Sequence, residues 1–203
     1  MPYRTPKHVQ EKKDAKKQRI LDQALPLFAE KGYENTSIQD ICNAAGVSVG
    51  SLYFYFPNKE LIFEKIFKRI ARSYFSCQEK AVQDETDLRK IISKSMRAAV
   101  NWWKNANTHE GQFILNNRHL SDLQQKRDEF LNTMVTRFKA LLDDAVNKGQ
   151  LKPLNTELVS VMYIHGNYQL IRYWNLTGRK TSPEEFINFL IENSIRILGL
   201  DIQ

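Results

Sequence analysis

Apolar residues recur at helical spacing along nearly the whole chain, whereas the alternation typical of strands is almost absent. Ile20, Ala24 and Phe28 mark one face of a first helix that ends at Gly32. Short loops separate the later helical segments, which is typical of an antiparallel bundle. The pattern therefore predicts an all-α protein. Beyond residue 57 the pattern predicts a helix capped by Asn58. Five further helices are predicted at residues 88–105, 112–120, 121–147, 156–177 and 184–198.

Residues 35–56 predict two short helices joined by a tight glycine turn. Thr36 or Ser37 is suited to cap the first helix, with Gln39 or Asp40 three residues later as the capping-box partner. Gly46 ends that helix with a residue that accepts the left-handed conformation, and Ser48 caps the next helix. The apolar stripe of the first helix consists of Ile38, Ile41, Cys42 and Ala45.

The second of these short helices leaves small and hydroxyl-bearing residues on its outer faces. Small residues let a helix approach DNA bases closely, and hydroxyls bond to base edges or phosphates. Val49 is suited to contact a thymine methyl group. The segment therefore indicates a helix-turn-helix that docks in a DNA major groove. A helical hairpin inside an ordinary bundle is the alternative that stays open.

A long run of positions in this region carries a family resemblance. These positions are Ala24, Phe28, Gly32, Tyr33, Thr36 to Ile38, Ala45 to Ser48, Gly50, Leu52, Tyr53, Tyr55, Phe56 and Asn58 to Leu61. In residue type and spacing they closely resemble the TetR/AcrR family of bacterial transcriptional regulators, over roughly residues 17–65. Pro26 departs from the pattern and predicts a local kink in the first helix. The resemblance implies a three-helix DNA-binding head followed by a larger helical-bundle body that binds a ligand and dimerises.

The resemblance also implies which residues contact a double-stranded DNA operator. It assigns base or phosphate contacts to Thr36, Gln39, Ser48, Val49, Gly50, Ser51, Tyr53, Tyr55 and Lys59. We add Ser37 and Phe54, which belong to the same segment.

Basic residues crowd the start of the chain. The first twenty residues hold seven basic and two acidic side chains, a net +5 out of the chain's +7. We predict a flexible basic arm over residues 1–13 that follows phosphates or enters a minor groove. A charged leader that only aids solubility is the open alternative.

Length and composition predict the domain organisation. A chain of 203 residues with 42% hydrophobic residues suits a small head joined to a larger body. We predict a helix-turn-helix domain over residues 14–74, with the motif itself at about 37–56, and a ligand-binding and dimerisation domain over residues 75–203. Cys42 and Cys77 lack metal-ligand or redox spacing. We therefore expect a cytoplasmic protein with no metal, no cofactor and no membrane segment.

The last two predicted helices carry more apolar surface than one core needs. We therefore expect each to pack inward on one face and against a second copy on another, as the resemblance also implies. A two-fold homodimer predicts a near-palindromic operator. A deeply buried helix pair inside a monomer is the alternative. The interface candidates are Val161, Ile164, Trp174, Phe186, Phe189, Leu190 and Ile197.

Aromatic and polar residues of the body suggest a pocket for an apolar or aromatic small-molecule inducer. Such residues are also typical of plain core, and His165 suits a structural role. Arg172 suits an ion pair, a contact across the dimer interface, or an anionic ligand, and the sequence does not rank these. The pocket candidates are Trp102, Trp103, Phe113, Asn117, Met134, Phe138, Tyr163, His165, Tyr168 and Arg172.

Catalytic motifs are missing from the sequence. It has no phosphate-binding glycine loop, no paired histidines at metal spacing and no recognisable nucleophile, so we predict no catalytic residues and no enzyme activity. The prediction is a ligand-responsive DNA-binding regulator, favouring a repressor that leaves its operator when a small molecule binds the body. The alternative is a helical adaptor without DNA binding, or a bundle protein that binds lipid or another small molecule.

Overall fold

The computed structural model describes residues 7–105, 109–116, 121–178 and 180–200. Within these ranges the chain forms helices and no strand, so the all-α prediction is confirmed. The predicted helix at 112–120 lies instead at 109–116, and residues 117–120 are outside the described ranges. The helices are α1 (Lys7–Lys31), α2 (Ile38–Ala45), α3 (Val49–Tyr55), α4 (Lys59–Val82), α5 (Leu88–Asn105), α6 (His109–Asn116), α7 (Ser121–Asn147), α8 (Thr156–Leu176) and α9 (Pro183–Ile197).

The chain divides into two compact units. The first comprises residues 1–72 and 106–119, and the second comprises 73–105 and 120–203. The break inside α4 lies close to the predicted boundary after residue 74. However, α6 belongs to the first unit, although the sequence placed it in the body. The reason is Phe113, which packs into the aromatic core of the first unit.

The core of the first unit is built on the stripe predicted for the first helix. Ile20, Ala24 and Phe28 of α1 are fully buried. The ring centroid of Phe28 lies 5.6 Å from that of Phe63 on α4, and the Phe63 centroid lies 4.4 Å from that of Phe113 on α6. Aromatic pairs at such distances add to the stabilisation from burial. These contacts join α1, α4 and α6.

The helix α1 begins earlier than the sequence suggested. Residues 7–13, predicted as part of a flexible arm, are helical in the structure. Lysine, glutamine and alanine favour a helix, and the Gln10 side chain donates to the Asp14 carboxylate one turn later. The helix also continues through Pro26 to Lys31. Residues 1–6 lie outside the described ranges.

Two hydrogen-bonded caps and a glycine shape the helix-turn-helix. The Asp40 amide donates to the Ser37 hydroxyl and the Ser37 amide donates to the Asp40 carboxylate, at 3.0 and 2.9 Å. Ser37, not Thr36, is therefore the cap. Gly46 has φ 61°, as expected for a left-handed helix end, and the Ser51 amide donates to the Ser48 hydroxyl at the start of α3. The bonds from Ser37 hold the pKa of Asp40 below its usual value, so their stabilisation is present at neutral pH and is lost on acidification through that lowered pKa.

The second unit consists of the end of α4 and helices α5, α7, α8 and α9. Ile92, Leu142 and Ile187 are buried at its centre. Trp174 stacks on Phe186 with ring centroids 4.8 Å apart, which joins α8 to α9. No helix in the described ranges is both long and apolar enough to cross a membrane.

Candidate nucleic-acid interface and ligand cavity

The outer face of α3 exposes large side chains beside small ones. Tyr53 is 48% exposed and Phe54 is 70% exposed, while Leu52 on the inner face is fully buried. Val49 and Gly50 are exposed in the first turn. A Cβ atom built on Gly50 meets nothing within 4 Å, so packing within the chain does not require a glycine there. A glycine inside a helix costs roughly 0.5–1 kcal/mol relative to alanine. At Gly50 the missing side chain leaves open space at the surface of α3.

Most of the predicted DNA contacts lie on the surface around α3. Ser51 and Tyr55 are half-buried. The Gln39 amide donates to the Asn43 side chain at 2.8 Å on the outer face of α2. The exposed members of the predicted set are Ser37, Gln39, Ser48, Val49, Gly50, Tyr53 and Phe54.

Thr36 is wrong as a side-chain contact to DNA. It is fully buried, and its hydroxyl donates to the carbonyl oxygens of Gly32 at 2.8 Å and Leu27 at 3.2 Å. These carbonyls belong to the end of α1, where helical partners run out. The hydroxyl therefore closes α1 and does not reach the surface.

Lys59 was predicted to contact DNA, but its ammonium group points into the turn after α1. The Nζ atom donates to the carbonyls of Tyr33 and Thr36 at 2.8 and 2.9 Å, and it lies 4.1 Å from the centroid of the Tyr33 ring. The Tyr33 hydroxyl donates to Glu60 at 2.7 Å and lowers the pKa of that carboxyl. Lys59 therefore holds the turn that leads into α2.

The second unit contains a cavity of about 410 Å³. Its size falls in the range of small-molecule sites, and its walls are mostly apolar. Three predicted pocket residues line it, namely Met134, Phe138 and Tyr163. The Phe138 and Tyr163 rings stack with centroids 4.1 Å apart. Other lining residues come from α4, α5 and α7, and include Tyr74, Phe75, Ile92, Met96 and Leu141.

Two charged side chains also line the cavity. The Arg137 guanidinium lies 4.5 Å from the centroid of the Phe75 ring and donates to Glu79 at 2.8 Å. Glu85 accepts from Lys94 at 2.8 Å, and this bond is the main cause of the lowered pKa of Glu85. The Arg137 side chain is about half exposed, so its remaining donors are accessible to a ligand.

Phe113 and His165 are not among the residues that line this cavity. Phe113 is buried in the first unit, against Phe28 and Phe63. His165 is exposed on α8. Asn117 lies outside the described residues.

Four further pocket candidates do not line the cavity. The Trp102 indole donates to the Ser73 hydroxyl at 3.4 Å, and Trp103 is buried next to it. Arg172 donates to the Gln169 side chain at 3.2 Å, which is a contact within α8. Tyr168 is also absent from the cavity wall, and its burial elsewhere raises the pKa of its hydroxyl. The sequence missed the cavity walls on α4 and α5 because a stripe facing a cavity has the same spacing as a stripe facing packed core.

The predicted dimer residues separate into two groups. Val161, Phe189 and Ile197 are 42%, 48% and 49% exposed on α8 and α9. In contrast, the buried members pack in the core of their own chain and leave little side-chain surface for a partner. Those members are Ile164, Trp174, Phe186 and Leu190.

Neither cysteine is part of a recognisable metal site among the described residues. Cys42 is buried, which raises the pKa of its thiol, and Cys77 is half-buried. In the part of the chain that the structure describes, no group of three or more His, Cys, Asp or Glu residues is placed to hold a metal ion.

The fold and the exposed α3 define a helix-turn-helix transcriptional regulator with a separate helical unit. The model of the bacterial regulatory proteins of the tetR family matches residues 20–66. The biofilm operon icaADBC HTH-type negative transcriptional regulator IcaR of Staphylococcus epidermidis is 43% identical over 175 residues, which are 86% of this chain and 78% of IcaR. The chain therefore belongs to the TetR family of bacterial regulatory proteins.

Other relatives extend the similarity over both units. The fatty acid metabolism regulator protein of Bacillus subtilis is 25% identical over 189 residues, which are 89% of this chain and 94% of that protein. The crystal structure of FadR from Bacillus subtilis in complex with stearoyl-CoA has a TM-score of 0.75 at 22% identity, covering 91% of this chain and 99% of FadR. This structural similarity supports the fold.

We expect Lys59→Met to lower the melting temperature and to weaken binding to every duplex DNA without changing its salt dependence. Two charge-assisted hydrogen bonds are removed, and bonds of this kind contribute roughly 1.5–3 kcal/mol each. The measurements are thermal unfolding and DNA affinity as a function of salt. Lys80→Met, at an exposed position of the same helix, is the control. The salt slope is the slope of log affinity against log salt concentration. An unchanged melting temperature with a salt slope shallower by about 0.9 would show that Lys59 contacts a phosphate.

Proposed function

We propose that this protein is a dimeric repressor that binds a near-palindromic operator through α2 and α3. In this proposal it releases the operator when a small molecule with an apolar body fills the cavity of the second unit. The observation that carries the proposal is the outer face of α3, where exposed Val49 and Tyr53 flank the open space at Gly50. A surface of this kind suits a major groove, since the groove admits a helix and offers thymine methyl groups and base-edge acceptors.

Repression is supported by sequence similarity. IcaR of Staphylococcus epidermidis is a negative transcriptional regulator, and its identity with this chain extends well beyond the helix-turn-helix. A repressor needs only to occupy its operator, so DNA affinity is the property on which regulation depends.

The exposed face of α8 supports a homodimer. Leu158, Met162 and Tyr173 are each more than half exposed, and their spacing places them on one side of the helix with Val161. Apolar groups at this density are typical of an interaction surface. A two-fold pairing of α8 and α9 with a second copy covers them and presents two α3 helices to a palindrome.

The cavity supports a ligand with an apolar chain and an anionic end. The chain suits the walls formed by Met134, Phe138 and Tyr163, and the anionic end suits Arg137. FadR of Bacillus subtilis has been solved with stearoyl-CoA, a compound of this chemistry. We therefore propose an acyl thioester or fatty acid as the ligand class.

The helix α4 supplies the route for release in this proposal. Tyr74 and Phe75 of α4 line the cavity, and Lys59 at the other end of α4 holds the turn before α2. A ligand that binds better to a form with the α3 helices wrongly spaced shifts the population toward that form. The operator is then released without direct competition between ligand and DNA.

Selection of bound sequences from a random duplex library tests the DNA-binding proposal. We expect a near-palindromic motif, and Tyr53→Ala should cost about 1–3 kcal/mol of affinity for it. Tyr53→Phe separates the contribution of the ring from that of the hydroxyl. Circular dichroism checks that both variants fold. Absence of any enriched motif, or equal affinity of Tyr53→Ala and the unmodified protein, contradicts the respective part of the proposal.

Sedimentation equilibrium tests the dimer. We expect a mass of two chains, and a single chain for Val161→Asp or Phe189→Asp, since a charge buried without a partner opposes association. Thr133→Asp, on an exposed position of α7, is the control and should stay dimeric. A monomeric unmodified protein, or variants that remain dimeric, would place the interface elsewhere or remove it.

Filling the cavity tests the ligand. We expect stearoyl-CoA to release the selected operator from the unmodified protein but not from Met134→Trp, because the larger side chain occupies the cavity. Asn132→Trp, on the exposed side of the same helix, should respond like the unmodified protein. Coenzyme A alone is the ligand control. Equal release by coenzyme A alone, or full release from Met134→Trp, would argue against acyl binding in this cavity.

A further inference from the structure

The N-terminal half of α1 separates its charges into an acidic side and a basic side. Glu11 and Asp14, three residues apart, project from one side of the helix. The Asp14 carboxylate accepts from Gln10 on that side. The basic side, which we call the lysine face, consists of Lys12, Lys13, Lys16 and Lys17. Neither the core of the first unit nor the caps of the motif account for these four lysines.

The lysine face lies beside the helix-turn-helix. The Lys13 Nζ atom is 5.7 Å from the centroid of the Phe54 ring on α3. The Lys17 Nζ atom is 5.8 Å from the centroid of the Phe56 ring, directly after α3. Phe54 is exposed on α3 and Phe56 is fully buried, so Lys13 lies beside an exposed side chain of α3 and Lys17 lies over the core directly after it. The lysine face therefore continues the surface that we propose to dock on DNA.

Arg19, two residues after the lysine face, contacts the turn of the motif. Its Nη2 atom lies 3.5 Å from the carbonyl oxygen of Gly46, between α2 and α3. Together with Ile20, which is fully buried in the core, this contact holds the middle of α1 against the motif. The lysines therefore lie on a helix whose central part is anchored to the motif.

The ammonium groups remain able to bind an anion. Lys12 is exposed, and Lys13 and Lys17 contact aromatic rings, which leaves their N–H donors able to turn toward an acceptor. Lysine acts as a compact point charge for phosphate. Four such charges at helical spacing match a polyanion better than a single small anion.

We infer that the lysine face binds backbone phosphates of DNA that flank the base pairs contacted by α3, and that it does so as a rigid helix. The inference rests on the proposed DNA binding. Phosphate contacts carry no sequence information, so the lysine face raises affinity for operator and random DNA alike. A preformed helix also loses little conformational freedom on binding. This role differs from that of the flexible arm which the sequence suggested, because it depends on the helical structure of residues 7–17.

Two variants of the full chain separate charge from rigidity. The first replaces all four lysines of the lysine face by glutamine, which keeps helix propensity and removes four charges. The second is Gln18→Pro, which keeps every charge but removes the helical hydrogen bond of residue 18 and kinks or interrupts α1 there, so that the lysine face is no longer held in line with the rest of the helix. Gln18→Ala is its control, since it removes only the side-chain bond to Asp22. The control for charge is a fourfold Gln variant at exposed lysines of the second unit, Lys80, Lys90, Lys104 and Lys152.

Affinity is measured against salt concentration for the selected operator and for a random duplex of equal length. We expect the fourfold variant of the lysine face to bind both duplexes more weakly, with a salt slope shallower by about 0.9 for each phosphate that it no longer neutralises. Gln18→Pro should weaken binding to both duplexes although its charge is intact, with circular dichroism confirming the reduced helix content. Gln18→Ala and the fourfold control should retain both the affinity and the slope of the unmodified protein.

Three outcomes overturn the inference. An unchanged slope for the fourfold variant, with normal binding by the unmodified protein, excludes phosphate contacts by the lysine face and leaves the proposed function intact. A shallower slope with full binding by Gln18→Pro shows that the lysines act as a flexible arm. Failure of the unmodified protein to bind any duplex overturns the inference and the proposed function together.

Discussion

The turn between α1 and α2 depends on a small set of buried polar contacts. The Thr36 hydroxyl bonds to carbonyls at the end of α1, and the Lys59 ammonium bonds to the carbonyls of Tyr33 and Thr36. A buried carbonyl without a partner is costly, so these side chains favour one path of the chain through the turn. The helix-turn-helix follows directly, and the orientation of α3 relative to α1 depends on that path. Thr36 and Lys59, which the sequence predicted as DNA contacts, therefore stabilise the turn from within the first unit.

The second unit combines tight packing with open apolar surface. Trp174 and Phe186 stack inside it, whereas Val161 and Phe189 on the same two helices are exposed. Each of these two helices is therefore apolar on two sides, and only one of those sides is covered by the chain itself. The cavity is a second departure from full packing, since aromatic stacking and the Arg137 ion pair surround space that the side chains do not fill. Both features are typical of a protein that binds partners.

The sequence by itself determined the local structure. Caps such as Ser37 with Asp40, and Ser182 with Glu185, involve residues only three apart, so their hydrogen bonds depend on little else. Gly46 ends α2 because glycine accepts the left-handed conformation at low cost. Apolar spacing predicted the positions of nearly all helices, and the run of matching positions around the motif predicted the family. The start of α1 was less predictable, because a basic segment rich in helix formers is compatible with both an arm and a helix.

Only the tertiary structure decided which partner covers each apolar or polar group. Phe113, Ile164 and Val161 are all apolar residues at helical spacing in the sequence. In the structure, Phe113 is buried against α1 and α4 and Ile164 is buried in the second unit, whereas Val161 is exposed. Thr36 is of a residue type that contacts DNA in many proteins, but here it lies in the interior. The physical reason is that a helix needs only neighbours in sequence, whereas burial requires contacts between residues far apart in the chain.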